Sequence, residues 1–295
     1  MSGLKTFAVL GSGAIGKPLI EEFLAAKLPL TILTRDESKP DLQPYKAQGA
    51  TLKAVDYDSI DSIAAALEGV DAFISALGNQ HKEGLPNDLA KAAKKAGVKV
   101  YVPSEFGLDY ANPRTAPFPG VIQGKIDHQK FVEQLGLPWV AFTNGAFGDW
   151  LFHPAFGYDF KSHTAVLRSD GNVPLTVTDT RDVGLFVLLA LTTQPIPQPG
   201  QGKVYRVEGY ATTQNEANAA LEKASGVKWE VKKASYEEAA AKQTENSFDG
   251  FVAWLNATLA DGRQKLDTVD NELVGFKPRY FLDDHAKIAV ANNAS

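Results

Sequence analysis

Three short stretches hold residue types whose spacing could support redox chemistry. Gly11-Ser12-Gly13-Ala14-Ile15-Gly16 is a G-x-G-x-x-G run. It follows the apolar run "TFAVL" (6–10) and precedes Ile15, Leu19, Ile20, Phe23 and Leu24, which recur at helical spacing. In a strand–turn–helix, Gly11 makes the tight turn, Gly13 lets the backbone approach a pyrophosphate, and Gly16 packs the helix on the strand. The helix N-terminus then offers N–H groups and a positive dipole end to the phosphates. About twenty residues on, where such folds read the ribose, stand Arg35 and Asp36. An arginine suits a 2′-phosphate and a carboxylate suits a free 2′-hydroxyl. Arg35 comes first and favours NADP, while Asp36 leaves NAD open. In "GVIQGKIDHQKFVEQLGLPW" (120–139), a 100° step puts Val121, Ile122, Ile126, Phe131, Val132 and Leu135 on one broad arc. Lys125 lies near its centre, and His128, Gln129 and Glu133 also fall within it. An ammonium there must snorkel out along its stem or point into a pocket.

Two further stretches would sit beside these. "SALG" (75–78) and "VPSEFG" (102–107) each end an apolar run. Ligands of doubly wound sheets bind outside the carboxyl ends of the strands. Ser104, Glu105 and Phe106 are therefore expected at the rim. "AFGDWLFHPAFGYDF" (146–160) holds six aromatics in fifteen residues. Phe106, Phe147, Trp150, Phe152 and Phe156 are expected to form an apolar stacking wall, and His153 within the run is a candidate pocket residue. No tyrosine precedes a lysine by four residues, and Val121 holds that place before Lys125. Tyr110 and Tyr158 are candidates for the missing acid. H-E-x-x-H, G-x-S-x-G and Walker A patterns do not occur.

The elements that must position these residues alternate. Strands are expected at 6–10, 30–33, 51–55, 70–77, 98–104 and 139–143, with helices near 15–24, 60–67, 87–97 and 120–135. That order implies an α/β fold, a Rossmann-type doubly wound parallel sheet. The rhythm breaks near 145, so residues 1–150 read as an NAD(P)-binding domain. Residues 151–295 read as a smaller, mixed α/β substrate domain, with a return of some segments to the first left open. A helix is expected from about Thr180, a strand in "KVYRVEG" (203–209), and two or three helices between about 213 and 260.

Composition narrows the class. The 295 residues carry a net charge of −5, with no basic stripe, which argues against nucleic-acid binding. There is no cysteine, so disulfides, thiolate catalysis and cysteine-based zinc sites are excluded. No secretory pattern and no apolar run of roughly 18 residues is visible, so a cytoplasmic, non-membrane protein without a metal site is expected.

"GSGAIG", "LTRD", "SALG", "VPSEFG" and "GKIDHQKFVEQLGLPWVAFTNGAF", in this order and spacing, resemble the isoflavone reductase-like and NmrA-like atypical short-chain reductases. "TDTRDVG" (178–184) is similar to a later segment of that family, and the resemblance covers about residues 5–190. It implies NADPH binding by Gly11 to Gly16, Arg35, Ser75, Ala76, Leu77, Pro103, Ser104, Phe106, Lys125 and Asn144. It also implies hydride transfer to a phenylpropanoid- or isoflavone-like substrate with Lys125 as the catalytic group. Leu10 stands where plant members commonly have a further glycine, and Ala14 where a tyrosine is usual. Two other activities stay open. One is a cofactor-binding redox sensor that acts on a protein partner without turnover. The other is a quinone reductase.

Overall fold

The computed structural model describes residues 2–78, 81–110, 112, 116, 120–245 and 247–293, with the side chains of Val121 and Ala239 outside that set. Seven strands form one parallel sheet. They are β1 (Phe7–Leu10), β2 (Leu30–Thr34), β3 (Thr51–Ala54), β4 (Ala72–Ser75), β5 (Val100–Val102), β6 (Trp139–Thr143) and, from far along the chain, Gly202–Arg206. The spatial order is 202–206, β6, β5, β4, β1, β2, β3. The order reverses between β1 and β4, whose register pairs Leu10 with Ser75. The crevice of a doubly wound sheet opens at that switch point.

Alternation along the strands feeds two faces. Phe7 and Val9 of β1 and Val140 and Phe142 of β6 join one core. Ala8, Leu10, Trp139 and Ala141 join the other. Helix α1 (Gly16–Ala25) covers the first face, and the short α2 (Gln43–Ala47) lies beside it. The second face is covered by α3 (Ile60–Ala66), α4 (Leu85–Lys95) and α5 (Gly120–Gln134).

The remaining elements follow in chain order. They run β7 (Ala146–Phe147), β8 (Tyr158–Asp159), β9 (Thr164–Arg168), β10 (Pro174–Thr178), α6 (Thr180–Thr193), β11 (Gly202–Arg206), β12 (Tyr210–Thr213), α7 (Gln214–Ser225), β13 (Glu230–Ala234), α8 (Tyr236–Ala240), α9 (Phe248–Asp261), α10 (Asn271–Val274) and α11 (Leu282–Asn292). Two three-stranded sheets, β12-β10-β7 and β13-β9-β8, share a core with α7 and α9. The chain does not stay on one side of residue 150. Helix α6 packs Val183, Phe186 and Val187 under the large sheet, and β11 extends that sheet beyond β6.

Asp182 ties the distal chain to α6. Fully buried, it accepts Arg279 N–H at 2.9 Å, Arg279 Nε at 2.9 Å and Tyr280 N–H at 3.2 Å. Asp182→Ala strands these donors, and we expect a loss on the order of 3 kcal/mol. A fall in the urea midpoint at unchanged m-value reads it. An unchanged midpoint would show that the tie carries no stability.

Candidate active site

The glycine loop is built as a cradle. A Cβ on Gly16 would overlap the Gly11 carbonyl, and one on Gly11, whose φ is +99°, would overlap the Ala76 carbonyl. Gly13 faces open space. The amides of Ser12, Gly13, Ala14 and Ile15 donate to no backbone carbonyl among the described residues, and Lys17 N–H closes the first helical turn on Gly13 O at 2.9 Å. Unpaired N–H groups at the start of a ten-residue helix suit an anion.

A large open groove of about 980 Å³ runs from this loop's neighbour Leu77 past Arg35, Tyr57, Asp58, His81 and Lys82. Arg35 is exposed, with its guanidinium 5.8 Å from the Tyr57 ring centroid. Asp36 is otherwise engaged. Its Oδ1 accepts Ser38 N–H at 2.8 Å and Ser38 Oγ at 2.6 Å, and these bonds hold its pKa below the usual carboxylate value. Of the two candidate ribose readers, the arginine is the one left free to meet a ligand.

At the other end lies a cavity of about 360 Å³, closed by residues from both halves of the chain. Gly13, Ala14, Ile15, Ala76, Leu77 and Ser104 form its floor. Phe106, Phe147, Trp150 and Phe156 supply the aromatic wall expected of them. Phe106 also stacks on Phe142 at 6.3 Å, so it belongs to both core and cavity. Tyr110, Phe251 and Trp254 complete the wall. The spacing of the last two, three residues apart in "FDGFVAWL", was the signal available for them.

Five expected site residues stand elsewhere. Phe152 is core, edge-on to Tyr158 at 5.2 Å, because the short helical turns at 148–150 and 154–156 rotate it away from Phe147 and Trp150. His153 stacks on Trp150 at 5.0 Å and caps the second turn by accepting Ala155 N–H at 3.1 Å, leaving its ring on a different groove. Tyr158 is buried against Phe152 and Trp229, which leaves Tyr110 as the cavity's phenol. Asn144 and Pro103 are buried behind the wall. Asn144 N–H donates to Gly107 O at 2.8 Å and so fixes the 103–107 turn.

Helix α5 explains its own lysine. At its start Ile122 packs with Leu108 and Trp254, and at its end Val132 packs under the large sheet. One apolar arc thus serves two cores, and Lys125 falls at the seam between them. Its Nζ donates to Ser104 O at 2.8 Å and lies 5.6 Å from the Tyr110 centroid. Ser104 Oγ donates in turn to Leu77 O at 2.8 Å, which joins the ends of β4 and β5. Burial lowers the Lys125 pKa, and the nearby Glu105 opposes that shift. The ammonium is held on the cavity wall, where burial disfavours its charged form.

A polar network, buried at Asp179 and His285 and exposed at Asp149, braces the far side. Asp179 caps α6 by accepting Arg181 N–H at 2.8 Å and pairs with His285 Nε2 at 2.9 Å. His285 Nδ1 pairs with the Tyr210 hydroxyl at 2.8 Å, and Asp149 accepts the Thr180 hydroxyl. Both ring nitrogens of His285 are occupied, so the cluster reads as a brace that holds Thr180 on the cavity wall.

The family model described as the NmrA-like family matches residues 4–271. The chain belongs to the NmrA-like family. It is 30% identical over 202 residues to bifunctional pinoresinol-lariciresinol reductase 2 of Thuja plicata, covering 63% of this chain and 65% of that one. It spans 63–65% of the length of the first curated relatives it matches. A solved isoflavone reductase superposes with a TM-score of 0.80 at 25% identity, covering 97% of this chain and all of that one. AtPrR2, solved with NADP+ and (+)-pinoresinol, superposes at 0.79 with 21% identity, covering 98% and 99%. The doubly wound fold expected from the sequence is the fold of this NmrA-like chain. Among its described residues no helix is long and apolar enough to cross a membrane.

Proposed function

We propose that this protein is an NADPH-dependent reductase of a small aromatic substrate, with Lys125 as its proton donor. The observation that carries the reading is the position of the Lys125 ammonium. It stands on the wall of an aromatic cavity whose floor is the Gly13–Ile15 loop. The fit to the cofactor rests on the unpaired amides of the loop, the open face at Gly13 and the free Arg35. Bound there, NADPH would supply the hydride. Gly11 to Gly16 would hold its pyrophosphate, Arg35 its 2′-phosphate, and Ala76, Leu77 and Ser104 would border its nicotinamide end.

The chain's own groups do the rest. Phe147, Trp150, Phe156 and Trp254 stack on a planar acceptor and keep water out. Lys125 gives a proton to the anion that forms on the acceptor, and its lowered pKa makes that transfer easier. Ser104 O fixes the ammonium's direction. The division near residue 150 into a cofactor unit and a substrate unit is part of the same proposal, with α6 and β11 counted to the first. So is a cytoplasmic location without a nucleic-acid partner, in keeping with the cysteine-free, mildly acidic composition.

Tyr110 provides the test of which group is the acid. Burial raises its pKa, which leaves the phenol a poor donor in competition with Lys125. We expect Tyr110→Phe to keep turnover of an aromatic enone within about threefold of wild type, against the roughly hundredfold loss that removing a general acid brings. NADPH oxidation rates measure it. A hundredfold loss in Tyr110→Phe would move the acid role to the phenol.

A further inference from the structure

We propose that Glu105 is a proton relay that reloads Lys125 from a second cavity, one that several polar side chains line, a role that rests on the reductase reading above. That cavity, about 270 Å³, shares Leu77, Gly78, Ser104 and Lys125 with the aromatic one. Its remaining walls include Ser75, Asn87, Tyr101, Glu105 and His128. Lys125 therefore stands between a chamber walled by aromatic rings and one that Ser75, Asn87, Glu105 and His128 help to line. At roughly 30 Å³ per molecule, the second chamber has room for several waters.

Glu105 is only 2% exposed. Its Oε2 is fully buried without a hydrogen-bond partner among the described residues. An orphaned buried oxygen on an ionisable group asks for an explanation. A proton, or a water in the adjoining chamber, supplies one. Burial pushes the Glu105 pKa up to about 7 against the pull of Lys125. Burial lowers that of Lys125. The two proton affinities are thereby brought toward each other, which is what transfer between them requires.

The other groups around the chamber do not take this part. His128, on α5, has its pKa pushed down to about 4 and stays neutral. Its ring pairs with Asn87 at 2.7 Å and with the Tyr101 hydroxyl at 3.4 Å. The phenols of Tyr101, on β5, and Tyr110, in the loop that follows, are pushed up and stay protonated. His81 and Glu83, before α4, are exposed at the rim.

The protons balance. Lys125 gives one proton to the acceptor anion and becomes a neutral amine. The Glu105 carboxyl gives its own proton through water in the chamber to that amine, breaking O–H and forming N–H. The carboxylate then takes a proton back from bulk water along the chamber.

Glu105→Gln keeps the shape and removes the titration. Two readouts test the relay. In ligand-free wild type, infrared difference spectra should show a protonated-carboxyl band that disappears near pH 7 and is missing from E105Q. In rapid mixing with NADPH and an aromatic acceptor, E105Q should complete its first turnover at the wild-type rate, because Lys125 starts loaded. It should then run at least about tenfold slower. Relay delivery needs the acid form. The wild-type steady-state rate should therefore fall as pH rises through about 7, a limb that E105Q lacks.

The relay is overturned if no such band titrates, if E105Q matches wild type in steady state, or if its first turnover slows equally, the mark of a merely structural role. The two readings fail separately. An active wild type without the band removes the relay alone. A silent wild type with the band removes the reductase reading and takes the relay's function with it.

Discussion

Lys125→Ala is expected to cut NADPH oxidation by about a hundredfold to ten-thousandfold, the range for loss of a positioned general acid. NADPH binding should change little. The lysine reaches the cavity through one hydrogen bond, to Ser104 O, while the phosphate cradle at Gly11 to Gly16 is built from backbone on another element. The fold should also survive. Ile122 and Val132, not Lys125, anchor α5 in its two cores. Fluorescence titration of NADPH and steady-state rates on the same preparation separate the two effects. Equal turnover in mutant and wild type would remove Lys125 as the acid. Loss of cofactor affinity in step with activity would make it a binding residue instead.

Arg35→Ala is the second large effect, and its signature is selectivity. Arg35 is exposed and free, while the neighbouring Asp36 carboxylate is tied to Ser38. A charge-assisted bond to phosphate contributes about 1.5–3 kcal/mol, so NADPH affinity should fall about tenfold to a hundredfold. NADH, which has no 2′-phosphate, should bind almost as before. Because the site is exposed, the NADPH effect should shrink as salt rises. Equal loss for both cofactors would refute a 2′-phosphate role and mark Arg35 as a structural partner of Tyr57.

How far the sequence reaches is clear from particular residues. The Gly11–Gly16 loop and the first six strands were legible because each is marked by a local pattern, a glycine spacing or a short apolar run bounded by turn residues. Lys125 was legible as an oddity on its own helix. The strand at 202–206 was readable as a strand, but its pairing with Trp139–Thr143 was not, since nothing local selects a partner sixty residues back. Trp254 reaches the cavity for the same non-local reason, carried there by α9 across the crevice. The aromatic run at 146–160 shows a different limit. Composition marked it as apolar, yet the turns at 148–150 and 154–156 decide which rings face the cavity, and they send Phe152 to the core and His153 to another groove. Glu105 was visible at the rim, but its orphaned oxygen and the second chamber beside it exist only in three dimensions.

The most direct measurement is NADPH oxidation by the purified protein against a panel of aromatic enones, benzylic ethers and quinones, followed by loss of the reduced nicotinamide absorbance, with NADH in parallel. Turnover with at least one class, faster with NADPH than with NADH, is the predicted result. Tight NADPH binding with no oxidation across the whole panel would contradict it and would identify a cofactor-sensing protein that acts through a partner rather than through chemistry.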